Sequence, residues 1–181
     1  MNPVHRRQAL ALLLAMACAT PGLARADDTL TAARQAFARA SAGDASQIEP
    51  AASAFDRLSQ ARPGDPVLLA YAGAAEAMRA TTTWLPWRKL RHADDGLARL
   101  DKALALVQGG STAAAQADPA GVPAVLETRF IAASTFLALP SMFNRHARGE
   151  ALLAQVQADP LFAGAPAGFR EQVRQRAGAA R

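Results

Sequence analysis

The sequence holds a single cysteine, Cys18, among its 181 residues, and that cysteine lies in an N-terminal segment that reads as removable. One thiol forms no internal disulfide. Without Cys18 neither thiol chemistry nor a cysteine-ligated zinc site remains. Histidine is nearly as scarce, with three in the chain, and only His92 and His146 stand outside the same segment. Val and Ile are few, and no stretch alternates apolar with polar residues at period two, so strands have little to be made from. There is no Gly-x-Ser-x-Gly, no His-Glu-x-x-His and no glycine-rich phosphate loop opening a helix. Gly109-Gly110 stands where a helix ends, with no lysine after it. These absences remove the constellations that hydrolysis, metal-assisted chemistry and nucleotide binding require, and the chain is expected to be no enzyme and to use no cofactor or metal.

The first residues carry the signs of export. Arg6 and Arg7 make a positive start, and Ala9 to Ala19 form an uncharged apolar run that Pro21-Gly22 interrupts. Ala24 and Ala26 then supply the small residues that a signal peptidase reads. A membrane-spanning helix needs about twenty apolar residues, and this run is too short to be a stable anchor. The expectation is a signal peptide over residues 1–26 and a single helical repeat domain over 27–181, delivered to the periplasm or secreted. Arg6-Arg7 lacks the aromatic that follows a twin-arginine pair. The residues before Cys18 make a poor lipidation box, since Ala15 stands where Leu is wanted and Met16 is bulky. Lipidation at Cys18 is the alternative that would tether the protein to a membrane.

Loss of Arg6, Arg7 and Arg25 lowers the 20 basic residues by three against 15 acids. The remaining balance is nearly even, and the chain has no nucleic-acid footprint.

What the sequence does have is helical periodicity. Leu30, Ala33, Phe37 and Ala40 mark one helix, closed by a turn over 41–46. Ile48, Ala51, Phe55 and Leu58 mark a second, closed at Pro63-Gly64. Asp65-Pro66 is a start signal, because the carboxylate caps free amides and proline at the first helical position sacrifices no hydrogen bond. Leu68, Tyr71, Ala75 and Met78 follow. A fourth helix carries a stripe from Leu90 and Ala93 through Leu97, Leu100 and Leu104 to Val107, spaced three and four. Pro123 opens a fifth helix with Leu126, Phe130, Ala133 and Leu137, and Pro140 divides it from a sixth with Met142, His146, Gly149, Leu153 and Val156. On that stripe His146 is expected to be half-buried. Pro166 opens a short, mostly polar last helix over 167–179, suited to a cap.

Shifting the chain by 54 residues lays Leu85-Pro86 on Leu139-Pro140 and Arg91-His92-Ala93 on Arg145-His146-Ala147. Two copies of a helix–loop–helix unit are the reading. Ala51, Phe55 and Pro63 stand at the Ala-x3-Phe and closing Pro spacing of the tetratricopeptide family, which this region resembles. Leu69, Ala72 and Gly73 resemble the next unit's large–Leu–Gly set. Leu58 departs from the pattern, Glu76 replaces the family's aromatic, and the 34-residue rhythm breaks at 81–89. Trp84-Leu-Pro-Trp-Arg-Lys, and in the second copy Leu139-Pro140, Phe143 and Arg145, also look like a group of exported bacterial repeat proteins. The resemblance implies an all-α stack of antiparallel helix hairpins with a capping C-terminal helix, and it implies no activity.

The most distinctive stretch is 81–92, with both tryptophans of the chain. Trp84, Trp87, Arg88, Lys89 and Arg91, joined by Phe143 and Arg145 in the second copy, are the candidate partner-binding residues, because Trp and Arg offer large contact area with a polar handle. The competing role for the tryptophans is to fill the junction between stacked units. His92 with Asp95, and His146 with Glu150, could sit on one helical face as ligand pairs but equally as ordinary surface pairs. The expected function is an interaction module for a protein or peptide of the cell envelope. Its groove should be lined by residues 68–79 and 126–138 of the first helices. A small-ligand binder with the Trp84–Trp87 loop as a lid is the alternative.

Overall fold

The computed structural model describes residues 21–110 and 121–179, with side chains from Asp28 onward. Among these residues seven α-helices follow one another: α1 (Pro21–Ser41), α2 (Ile48–Ala61), α3 (Pro66–Arg79), α4 (Pro86–Gln108), α5 (Ala124–Ala138), α6 (His146–Ala158) and α7 (Ala167–Ala179). The described residues contain no β-strand. Among them no helix is long and apolar enough to cross a membrane. The lipidation alternative at Cys18 lies outside the described residues, whereas Ala24 and Ala26, after which cleavage is expected, fall within α1, which begins at the proline expected to end the apolar run.

The boundaries have local causes. Asp65 Oδ1 accepts from the amides of Val67 and Leu68 at 3.0 and 3.2 Å, with Pro66 at the first helical position. Asp159 caps a short turn over Pro160–Phe162 by accepting from Leu161 N at 3.0 Å. Asn144, in the left-handed region at φ 51°, ends the turn Ser141–Phe143 and sets the chain up for α6.

Each helix packs on the next, and α3 also packs on α5, so α1/α2, α3/α4 and α5/α6 stack as hairpins with α7 against α6. Helices α3 and α4 cross at two glycines. A Cβ on Gly96 would stand 2.6 Å from the carbonyl oxygen of Gly73, and one on Gly73 would stand 2.8 Å from that of Gly96. Only two residues without side chains let these backbones meet. In the next hairpin Gly149 takes the same part against Ala133 and Leu137 of α5. A shift of 54 would instead place Glu150, which is exposed, opposite Gly96.

The main core runs through α3 to α7 and centres on Leu100, Leu104, Leu126, Phe136 and Val156. A second cluster joins α1, α2 and α3 through Leu30, Phe55 and Leu68. There Tyr71 stacks on Phe55 at 4.6 Å and meets the edge of Phe37 at 4.8 Å. The stripe of α4 is buried from Ala93 to Val107, but Leu90 lies outside it, 47 % exposed. Met142 is likewise exposed, in the turn before α6, and so is His146. The cause in each case is reach. These positions project beyond the helices that cover the rest of the stripe.

Candidate functional site

A groove of about 1880 Å³ runs across the stack. Its walls come from α1 (Arg34, Phe37), α3 (Tyr71, Ala74, Met78), α5 (Glu127, Phe130, Ile131) and α7 (Phe169, Gln172, Arg176). These are the first helices of the successive hairpins and the cap, and they include much of the 68–79 and 126–138 lining expected from the sequence. The surface is mostly apolar.

Its polar floor is one cluster drawn from three helices. Glu127 is 5 % exposed, and its Oε1 accepts from Arg34 Nη2 and Tyr71 Oη, both at 2.8 Å. Arg34 also lies 5.6 Å from the centre of the Tyr71 ring. A carboxylate this deep needs a charged partner, and the cluster ties the first helices of all three hairpins together. On the α7 side Arg176 Nη2 donates to the backbone carbonyl of Ser134 at 2.5 Å.

The seven candidate residues divide. Trp87, Lys89 and Phe143 line one end of the groove. Trp84, Arg88 and Arg91 lie outside it, exposed on the same tip of the molecule. The tryptophans do not fill a junction between units, since Trp84 is 82 % and Trp87 66 % exposed. Nor do Trp87, Arg88 and Lys89 belong to a loop. They form the first turn of α4, which starts at Pro86 with Leu85 as an N-cap that makes no side-chain bond and with no acid in its first turn. Cations at the positive end of a helix dipole oppose the usual preference.

Arg145 is occupied elsewhere. With Arg148 it holds Asp101 of α4, at 3.1 and 2.6 Å, and both guanidiniums sit about 5.5 Å from the Phe136 ring. It is an inter-hairpin clamp.

A second charged cluster, behind the groove, links α2, α3 and α4. Glu76 is 5 % exposed and accepts from Arg79 Nη1 at 2.7 Å, while its Oε1 lies 2.7 Å from Nδ1 of His92. Arg79 reaches on to Glu49 at 2.6 Å and Asp56 at 3.5 Å, and Arg99 also pairs with Asp56. Burial pushes the Glu76 carboxyl up, but the hydrogen bonds from His92 and Arg79 together outweigh it and hold the group below its ordinary range. Glu49 is lowered chiefly by its hydrogen bond from Arg79, and Arg79 is held above the usual guanidinium range by Glu49 despite its desolvation.

His92 therefore faces Glu76 across the hairpin and not Asp95. His146 stands 3.6 Å from Glu150, both exposed. No group of three metal-ligating side chains occurs among the described residues. Glu127 and Glu76 were missed as site residues by sequence reasoning, although each gave a signal: a lone acid inside an apolar helix, and at Glu76 a charge where the resembled family has an aromatic.

No protein-family model, curated protein or solved structure matches this chain.

Proposed function

We propose that the protein is an exported, tetratricopeptide-like interaction module whose groove holds a peptide or protein segment of the cell envelope. The observation that carries this reading is the groove's size and source. Pockets for small molecules span about 300–1,000 Å³, and this groove, at about 1880 Å³, exceeds them. A helix with side chains is about 10–12 Å across and rises about 1.5 Å per residue, so the space suits roughly three to four turns of one. Trp87, Lys89 and Phe143 at one end supply the aromatic and cationic contacts that dominate such interfaces. The floor cluster of Arg34, Tyr71 and Glu127 is preorganised, which lowers the ordering cost of binding.

Site-specific photo-crosslinking tests it. A photoreactive residue at Gln172, in the groove, should give one discrete adduct in envelope-exposed cells, and Ser134 should give an adduct of the same partner. Gln155, exposed on α6 and away from the groove, should give none. The same adducts from Gln155, or none from Gln172 and Ser134, would refute the groove.

A further inference from the structure

Five large apolar side chains are conspicuously exposed among the described residues, and four of them gather at one end of the molecule. Trp84 and Trp87 are 82 % and 66 % exposed, Met142 76 % and Leu90 47 %. Trp84 lies in the α3–α4 connection, Trp87 and Leu90 in the first turns of α4, and Met142 in the α5–α6 connection; Trp87, Leu90 and Met142 border the groove, and the two sets meet because α3 packs beside α5. The charges nearest them in sequence are positive, with the first acids at Asp94 and Asp95 on α4 and at Glu150 on α6. From Thr81 to Ala93 there is no acid, and Arg88, Lys89 and Arg91 are exposed there. From Thr128 to Gly149 there is none either. Arg88 and Lys89 have no ion-pair partner among the described residues, whereas Arg91 makes a 3.7 Å pair with Asp95. The α1–α2 turn contributes nothing comparable: its Asp44 is spent on Ser46.

We propose that this tip is a docking surface for an anionic lipid bilayer, with Trp84, Trp87 and Met142 entering the headgroup region and Arg88 and Lys89 meeting lipid phosphates. Tryptophan is the residue that settles at the membrane–water boundary, since its ring is apolar and its indole N–H remains wet. Cations beside it add attraction to an anionic surface, within reach of a screening length. An apolar tip without cations would favour a second protein surface, and cations without the tip would favour any polyanion. The combination, presented at one end by the start of α4 and the connections beside it, fits a surface that is anionic outside and apolar beneath. Membrane contact here needs no lipid on Cys18, and it shares Trp87 and Lys89 with one end of the groove but none of the groove's floor.

The chain has two tryptophans in all, both on this tip, so their fluorescence reports the tip alone. The full chain is titrated with vesicles of phosphatidylglycerol mixed with phosphatidylcholine, and with phosphatidylcholine vesicles. The expected result is a blue shift and loss of acrylamide quenching on the mixed vesicles only, reversed by salt. Arg88→Glu with Lys89→Glu should weaken that response by about thirtyfold per reversed charge, with helical content unchanged. If that variant loses helix, Arg88→Gln with Lys89→Gln replaces it, and a weakening of about fivefold per charge removed is expected. The apolar segment 9–19 could carry the chain to vesicles by itself, but without the tip it would leave tryptophan emission unmoved. Unmoved emission on mixed vesicles overturns the proposal. So does an equal shift on phosphatidylcholine, an unweakened response in the charge variants, or a shift with polyglutamate but none with vesicles, which would assign the tip to an acidic protein. Groove crosslinks at Gln172 and Ser134 are read separately, so either reading can fall alone.

Discussion

Glu76 has lost nearly all contact with solvent yet is held ionised, because His92 and Arg79 both reach it at 2.7 Å. Its depressed pKa ties folding to acidity. A carboxyl that is harder to protonate folded than unfolded contributes stability above its ordinary value of 4.5, and that contribution drains away as pH falls through and below this value. The melting temperature should therefore drop below about pH 4.5, and the drop should be shallower in Glu76→Gln. At neutral pH that variant should be less stable by on the order of 2–3 kcal/mol, since it weakens two charge-assisted bonds that are partly screened by solvent; chemical denaturation at pH 7 and pH 4 measures both. The tip behaves in the opposite way. Trp87 and Arg88 are exposed, so Trp87→Ala with Arg88→Ala should melt within about 0.5 kcal/mol of the parent. Early melting would place the tryptophan in the core.

At the scale of elements, much of the fold is written in local signals. Asp65-Pro66 predicts the start of α3 and the cap is there; the spacing from Ala93 to Val107 predicts the buried face of α4, and it is buried. Periodicity says which face a helix can bury, but not how far its neighbour extends. Counted from the Gly73–Gly96 crossing, α3 ends opposite about Leu90, so the first turn of α4 lies past it and Leu90, at that edge, continues the stripe and is still exposed. The same limit hides the groove floor. Arg34, Tyr71 and Glu127 have no sequence relation, and only the stacking of three first helices brings them together. The α3/α4 crossing gives the sharpest element-level prediction. Alanine is favoured over glycine inside a helix by about 1 kcal/mol, yet Gly96→Ala would drive a methyl against the backbone of α3 and should cost about 1–3 kcal/mol net. Gly168→Ala, where a Cβ meets nothing within 4 Å, should be neutral or slightly stabilising. Equal melting of these two variants in calorimetry would mean that the helices do not cross at glycine.

At the scale of the molecule, the hairpins place their first helices side by side and so make a surface that no single hairpin has. The stack is closed at one side by α7, whose buried Phe169 and Val173 face the core while its other residues are largely polar. The candidate residues legible in the sequence were those of unusual composition, the tryptophans and cations of α4. Those legible only in three dimensions were the walls and floor of the groove. Partner recognition is proposed for that groove. Ala38 and Gln172 are exposed on opposite walls, α1 and α7, so Ala38→Trp with Gln172→Trp should obstruct it without touching the core. The deciding measurement is the affinity of this double variant for the partner crosslinked at Gln172 and Ser134, taken alongside its melting curve. A loss of tenfold or more, equivalent to about 1.4 kcal/mol, with unchanged melting is the predicted result, and parental affinity with both tryptophans in place would contradict it.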